Sequence, residues 1–60
     1  MIYLHGQPIN AIAAIFYVVA NAENKGYDPE DAESMLRQAL DGAEDFNDQL
    51  CCDFGIEVVA

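Results

Sequence analysis

The chain opens on alternation. Across Met1–His5, Ile2 and Leu4 point one way and Tyr3 and His5 the other, which predicts a short strand. Gly6-Gln7-Pro8 then reads as the turn that ends it. Asn10 is placed to N-cap a first helix over Ala11–Asn24, with Gly26 closing it as a left-handed C′ residue. Ile12, Ile15, Phe16 and Val19 form one stripe of this helix, while Tyr17, Val18, Ala13 and Ala14 cover its other faces. A helix that is apolar all round must be surrounded by protein, and this chain supplies little to surround it. Part of the helix, namely Ile12, Ile15, Phe16, Tyr17 and Val19, is therefore expected to form a homodimer interface.

A second start signal follows Tyr27. Asp28 is the N-cap, Pro29 takes N1, and Glu30 and Asp31 meet the positive end of the helix dipole. Ala32, Met35, Leu36, Ala39 and Leu40 give an i, i+3, i+4, i+7, i+8 stripe. Gly42 interrupts it, yet the stripe continues in phase through Ala43, Phe46 and Leu50. Either one bent helix or two segments meeting near Asp41-Gly42 is expected. Gly55 ends the helical region. Ile56–Ala60 alternates again, with Ile56 and Val58 on one face and Glu57 and Val59 on the other. Two short strands are not stable alone in water, so they should pair with each other, or across a dimer, against the helices. The expected fold is α+β and helix-dominated, of order β-α-α-(α)-β, in a single domain over residues 1–60.

Length limits what such a fold can do. Sixty residues lie near the lower limit for independent folding and leave little room for a closed pocket of about 300 Å³ or more. The apolar run Ala11–Ala20 is half of the roughly 20 residues a membrane span needs. Neither a basic leader nor a small-residue cleavage site accompanies it, so no signal peptide is expected. Cys51 and Cys52 are adjacent and point about 100° apart on a helix, which disfavours a bridge between them and fits a reducing cytoplasm.

Charge changes the picture most. The first 27 residues are neutral, with Glu23 offset by Lys25. The other 33 hold ten acids against Arg37 alone, so the whole net charge of −9 belongs to the second half. A small domain needs only about 2–8 units to stay dispersed; the remainder is self-repulsion. This balance argues against direct nucleic-acid binding and against anionic membranes. It favours a basic partner surface or a cation.

The acids are also patterned. Asp41, Glu44, Asp45 and Asp48 lie at i, i+3, i+4 and i+7, which puts four carboxylates on one helical face. Glu30 and Glu33 join that face if the helix passes Gly42 without a large bend. Seven residues of helix rise about 10.5 Å, giving roughly one charge per 3.5 Å, close to the spacing of about 3.4 Å between phosphates along one strand of B-DNA. The functional reading is a surface that occupies a lysine- and arginine-rich groove. The plain alternative is a solvated acidic face.

Other chemistry is poorly supported. Asp41-Gly42-Ala43-Glu44-Asp45 does not follow the register of a calcium loop. His5, Cys51 and Cys52 are soft-metal ligand types without zinc spacing. They read better as a strand histidine, one core cysteine and one semi-exposed cysteine. Nearby acids raise a thiol's pKa, so neither cysteine is marked as a nucleophile. No cofactor, metal or catalytic residue is expected. Tyr17 should pack at the edge of the core, and Tyr27 should staple the helix start or stay exposed.

In its small size, its acidity and its ladder Asp41, Glu44, Asp45, Asp48, the chain resembles the small inhibitors that bacteriophages make against host nucleic-acid machinery, including anti-CRISPR proteins and DNA mimics. That resemblance implies a non-enzymatic decoy in the cytoplasm of an infected bacterium. It would occlude a basic nucleic-acid-binding surface of a larger complex through Glu30, Glu33, Asp41, Glu44, Asp45 and Asp48. The alternative is a small structural or regulatory homodimer joined through its first helix, with acids serving only solubility.

Overall fold

The computed structural model describes residues 1–59. Its elements are β1 (Ile2–Leu4), β2 (Gln7–Ile9), α1 (Ala11–Asn21), a 3₁₀ turn (Glu23–Lys25), α2 (Pro29–Leu40), α3 (Glu44–Phe54) and β3 (Ile56–Val58). The three strands form one antiparallel sheet in the order β2-β1-β3. The helix-dominated α+β class is as the sequence predicts, and β1 pairs with β3 as expected. Of the strand expected over Ile56–Ala60, Ala60 lies outside the described residues.

The order is corrected in one respect: a strand stands where a turn was expected. His5 (φ 50°) and Gly6 (φ 83°) both adopt positive φ, the pattern of a two-residue type I′ turn, which matches the twist of a hairpin. Gln7–Ile9 therefore folds back on β1, pairing Leu4 with Gln7, Tyr3 with Pro8 and Ile2 with Ile9. Proline is tolerated in β2 because the Tyr3–Pro8 pair is not hydrogen-bonded, which turns the proline nitrogen to the open edge. The other edge, β3, is covered at Val58 by the side chain of Asn47 from α3. Ile2, Leu4, Ile9, Ile56 and Val58 share the face of the sheet that packs on the core.

The N-cap of α1 forms as expected, with Asn10 Oδ1 accepting from the Ala13 N–H at 2.7 Å. The helix is shorter than predicted, since its backbone tightens into the 3₁₀ turn before Gly26 closes it in the left-handed region. Its buried face is also different. Ala14, Val18 and Ala22, four residues apart, are fully buried, whereas Ile12 and Phe16 are 68% and 70% exposed. Ala14 on α1, Ala22 at its C-cap, and Ala32 and Ala39 on α2 are small, buried side chains, an alanine seam in the core, and α1 packs on α2. Phe54, Leu36, Leu50, Ile56 and Val18 supply the bulk of the core.

The helical region breaks at Gly42, giving two segments. The break is a complete Schellman motif: Ala43 N–H reaches Gln38 O at 3.0 Å and Gly42 N–H reaches Ala39 O at 3.1 Å. Gly42 has φ 107°, in the positive range that side-chain-bearing residues avoid. The continuing apolar stripe is real, because Leu50 is buried and Phe46 packs against the core, but it lies on a new helix. No helix among the described residues is long and apolar enough to cross a membrane.

Candidate functional site

The break at Gly42 divides the predicted acidic ladder. Asp41 is the C-cap of α2 (φ −85°, ψ 0°), while Glu44, Asp45 and Asp48 belong to α3. The four carboxylates do not share one helical face, and the even spacing along a single axis is lost. Glu30 and Glu33 lie on α2 and do not extend the α3 row. What remains is an acidic corner: Asp41 at the turn, and Glu44, Asp45 and Asp48 leading away from it, all four exposed.

Local folding accounts for part of this arrangement. Glu44 and Asp45 occupy the first turn of α3, whose N-cap Ala43 offers no side-chain hydrogen bond. Their charge there complements the exposed N–H groups of the helix start. Glu30 and Asp31 do the same for α2, where Asp28 holds the N-cap position without a capping bond from its side chain. Asp41 and Asp48 have no such role.

The corner is also short of cations. Among the described residues the single ion pair is Arg37 to Glu33, at 2.9 Å along α2. It is exposed and contributes a few tenths of a kcal/mol at most. Arg37 is thereby turned toward Glu33, one turn before Asp41. Lys25 lies in the 3₁₀ turn, outside both acidic helices.

Two further acids have separate environments. Glu57 is exposed on β3, opposite Tyr3. Asp53, near the end of α3, accepts a short hydrogen bond from the Tyr27 hydroxyl, which in turn accepts from Gln49 Nε2 at 2.6 Å. The Tyr27 ring lies against Phe54 with centroids 5.9 Å apart. Tyr27 thus staples the start of α2 to the end of α3, the first of its two expected roles. The Asp53 carboxylate, together with partial burial, raises the phenol above its ordinary pKa of 10.0.

The metal-ligand types do not gather. His5 sits in the hairpin turn, not in the strand, with Nε2 3.4 Å from the Tyr17 hydroxyl. Tyr17 is half-buried at the edge of the core. Cys51 and Cys52 are both free and exposed; the expected core cysteine is not found, because Leu50 and Phe54 take the inward positions of α3. Among the described residues no three His, Cys, Asp or Glu side chains converge as a metal site would require.

The residues expected at a dimer interface separate into two groups. Ile12 and Phe16, one turn apart on α1, face solvent. Ile15, Tyr17 and Val19 are half-buried against the protein's own core. The stripe therefore straddles the boundary between core and surface, leaving only its outer edge free. The alanine seam that displaces it was the signal available in the sequence.

No family model matches the chain, and comparison with curated proteins and with solved structures finds no match.

Proposed function

We propose that the chain is a non-enzymatic acidic decoy that occupies a basic, nucleic-acid-binding surface of a larger protein complex, in the manner of the small phage inhibitors it resembles. The observation that carries this reading is the uncompensated corner of Asp41, Glu44, Asp45 and Asp48: four exposed carboxylates, with the nearby Arg37 already engaged by Glu33. Helix-start stabilisation explains Glu44 and Asp45 but not Asp41 or Asp48. Such a surface attracts lysine and arginine side chains, raises the rate of encounter at low salt and repels nucleic acid itself. Because the carboxylates are clustered at a bend, the decoy competes by sign and density of charge and does not need a regular phosphate lattice. Free, exposed Cys51 and Cys52 suit a reducing cytoplasm.

The test is to use the chain as bait in a bacterial lysate beside a variant carrying Asp41→Asn, Glu44→Gln, Asp45→Asn and Asp48→Asn. Proteins held by the native chain, released by salt and lost with the variant support the reading. Equal capture by both opposes it.

A second reading is favoured by a different observation, the exposure of Ile12 at 68% and Phe16 at 70%. It is a homodimer joined through the outer edge of α1, in a stretch, residues 8–22, that carries no charge. Sedimentation at micromolar concentration tests it. A dimer that Phe16→Ser converts to a monomer supports this reading, and a native monomer ends it.

A further inference from the structure

A groove runs beside the acidic corner, where the end of α2 and the start of α3 meet the end of β3 and the residue before β1. It holds about 560 Å³, and its lining includes Met1, Leu40, Ala43, Glu44, Val58 and Val59. Three of the chain's exposed large apolar side chains stand in it: Met1 at 72%, Leu40 at 37% and Val59 at 43% exposure. Scattered exposed apolar residues need no explanation. Three that converge on one concavity offer an apolar anchor point, smaller than the patches of several hundred Å² that mark an interface by themselves.

Charge tells which occupant the groove accepts. Glu44 lines it, and the adjoining depression is formed by Gly42, Ala43, Glu44, Asp45 and Phe46. No basic side chain is found among the residues lining either; the one positive group is the Met1 ammonium, which donates to Val59 O at 2.9 Å, so the negative charge comes from Glu44 and Asp45. An occupant with acids beside its anchor would be repelled here. One with lysine or arginine beside an apolar anchor gains from both parts of the site, because the seated anchor displaces water and lessens screening.

We infer that this groove takes one large apolar side chain from a lysine- and arginine-rich segment of a protein partner, while the acidic corner holds the flanking charges. The inference rests on the reading of the corner as a partner surface and adds to it. Charge alone accepts any basic groove; the apolar floor of Leu40 and Val59 selects a basic segment that also presents an anchor. The apolar part of the affinity resists salt, whereas the charged part does not.

The test uses the full chain and two synthetic nonapeptides, each with four lysine or arginine residues on either side of a central residue, leucine in one and serine in the other. Binding is followed by amide chemical shifts at moderate salt. The leucine peptide should bind about tenfold more tightly, the equivalent of partly burying one leucine. Shifts should concentrate at Leu40, Ala43, Val58 and Val59. Leu40→Ser should remove the difference between the peptides; Val59→Ser, just after β3, serves if the first variant does not fold. Equal binding of the two peptides overturns the groove but leaves the acidic corner standing. A preference for leucine that survives neutralisation of Asp41, Glu44, Asp45 and Asp48, with no loss of affinity, keeps the groove and overturns the corner. No binding by either peptide overturns both.

Discussion

Asn47 and Val58 are joined as two strands would be. The Asn47 side-chain amide donates from Nδ2 to Val58 O at 2.9 Å, and its Oδ1 accepts from Val58 N–H at 3.0 Å. The register that pairs Ile2 with Val58 turns both backbone groups of Val58 away from β1. One side chain of α3 thus takes the place of a fourth strand. It also ties the helix that bears Glu44, Asp45 and Asp48 to the sheet.

Replacing Asn47 by Ala should therefore cost about 2 kcal/mol, from two partly buried hydrogen bonds at roughly 1 kcal/mol each. In a domain of this size that corresponds to a fall in Tm of roughly 8–16 °C. The freed edge of β3 should also promote association through strand pairing. Thermal melts at several protein concentrations check both effects.

His5 and Gly55 give a second, independent prediction. The His5 N–H donates to Gly55 O at 2.9 Å, and the imidazole lies where a side chain on Gly55 would have to go. Gly42, by contrast, has open space around it. Gly42→Ala should cost about 1–2 kcal/mol, the conformational penalty alone. Gly55→Ala should cost more, and the excess should disappear when His5 is also changed to Ala. A double-mutant cycle on unfolding free energies measures that coupling; independent effects would contradict the packing described.

Tyr27 should make the fold sensitive to alkali. Its phenol is raised above 10.0 chiefly because it donates to Asp53. The unfolded chain then loses this proton at a lower pH than the folded one. The contribution is fully present below about pH 10, the unfolded value, and is lost as pH rises through the higher folded value. Tyr27→Phe should flatten this limb of the stability curve, and Asp53→Asn should move the tyrosinate absorbance transition to lower pH.

Salt should stabilise the native chain. Ten acids against one base over residues 28–60 repel one another, and salt screens exposed charges. Raising ionic strength from low to moderate should lift Tm by several degrees, since about 1 kcal/mol is worth roughly 4–8 °C here. A Tm that stays flat would show that the acids are spaced widely enough not to strain the fold.

These cases show what was legible in the sequence. Local chemistry read well where it acts alone: Asn10 caps α1, Pro29 starts α2, and Gly26 and Gly55 end helical segments in the left-handed region. The alternating residues Ile2, Leu4, Ile56 and Val58 face the core as expected. Reading failed where one signal had two outcomes. Pro8 marks a turn in most contexts but here lies on an edge strand, and the signal for that was the His5-Gly6 pair between Leu4 and Gln7. The apolar stripe through Gly42 was in phase, yet helical phase survives a break when each segment packs on the same core. That break decided the candidate site, by converting a ladder into a corner. On α1 the fully buried positions are Ala14 and Val18, with Ala22 at the C-cap, while Ile12 is exposed and Ile15 half-buried.

On the proposed function, the corner of Asp41, Glu44, Asp45 and Asp48 competes with nucleic acid for a basic surface. It is tested most directly by displacement of a labelled nucleic acid from the captured partner. The native chain is set beside the variant with all four acids changed to amides, and beside a control with the same loss of charge at Glu23, Asp28, Asp31 and Glu57. The native chain and the control should displace the nucleic acid and the corner variant should not, with displacement weakening as salt rises. Displacement by the corner variant equal to that of the native chain would contradict it.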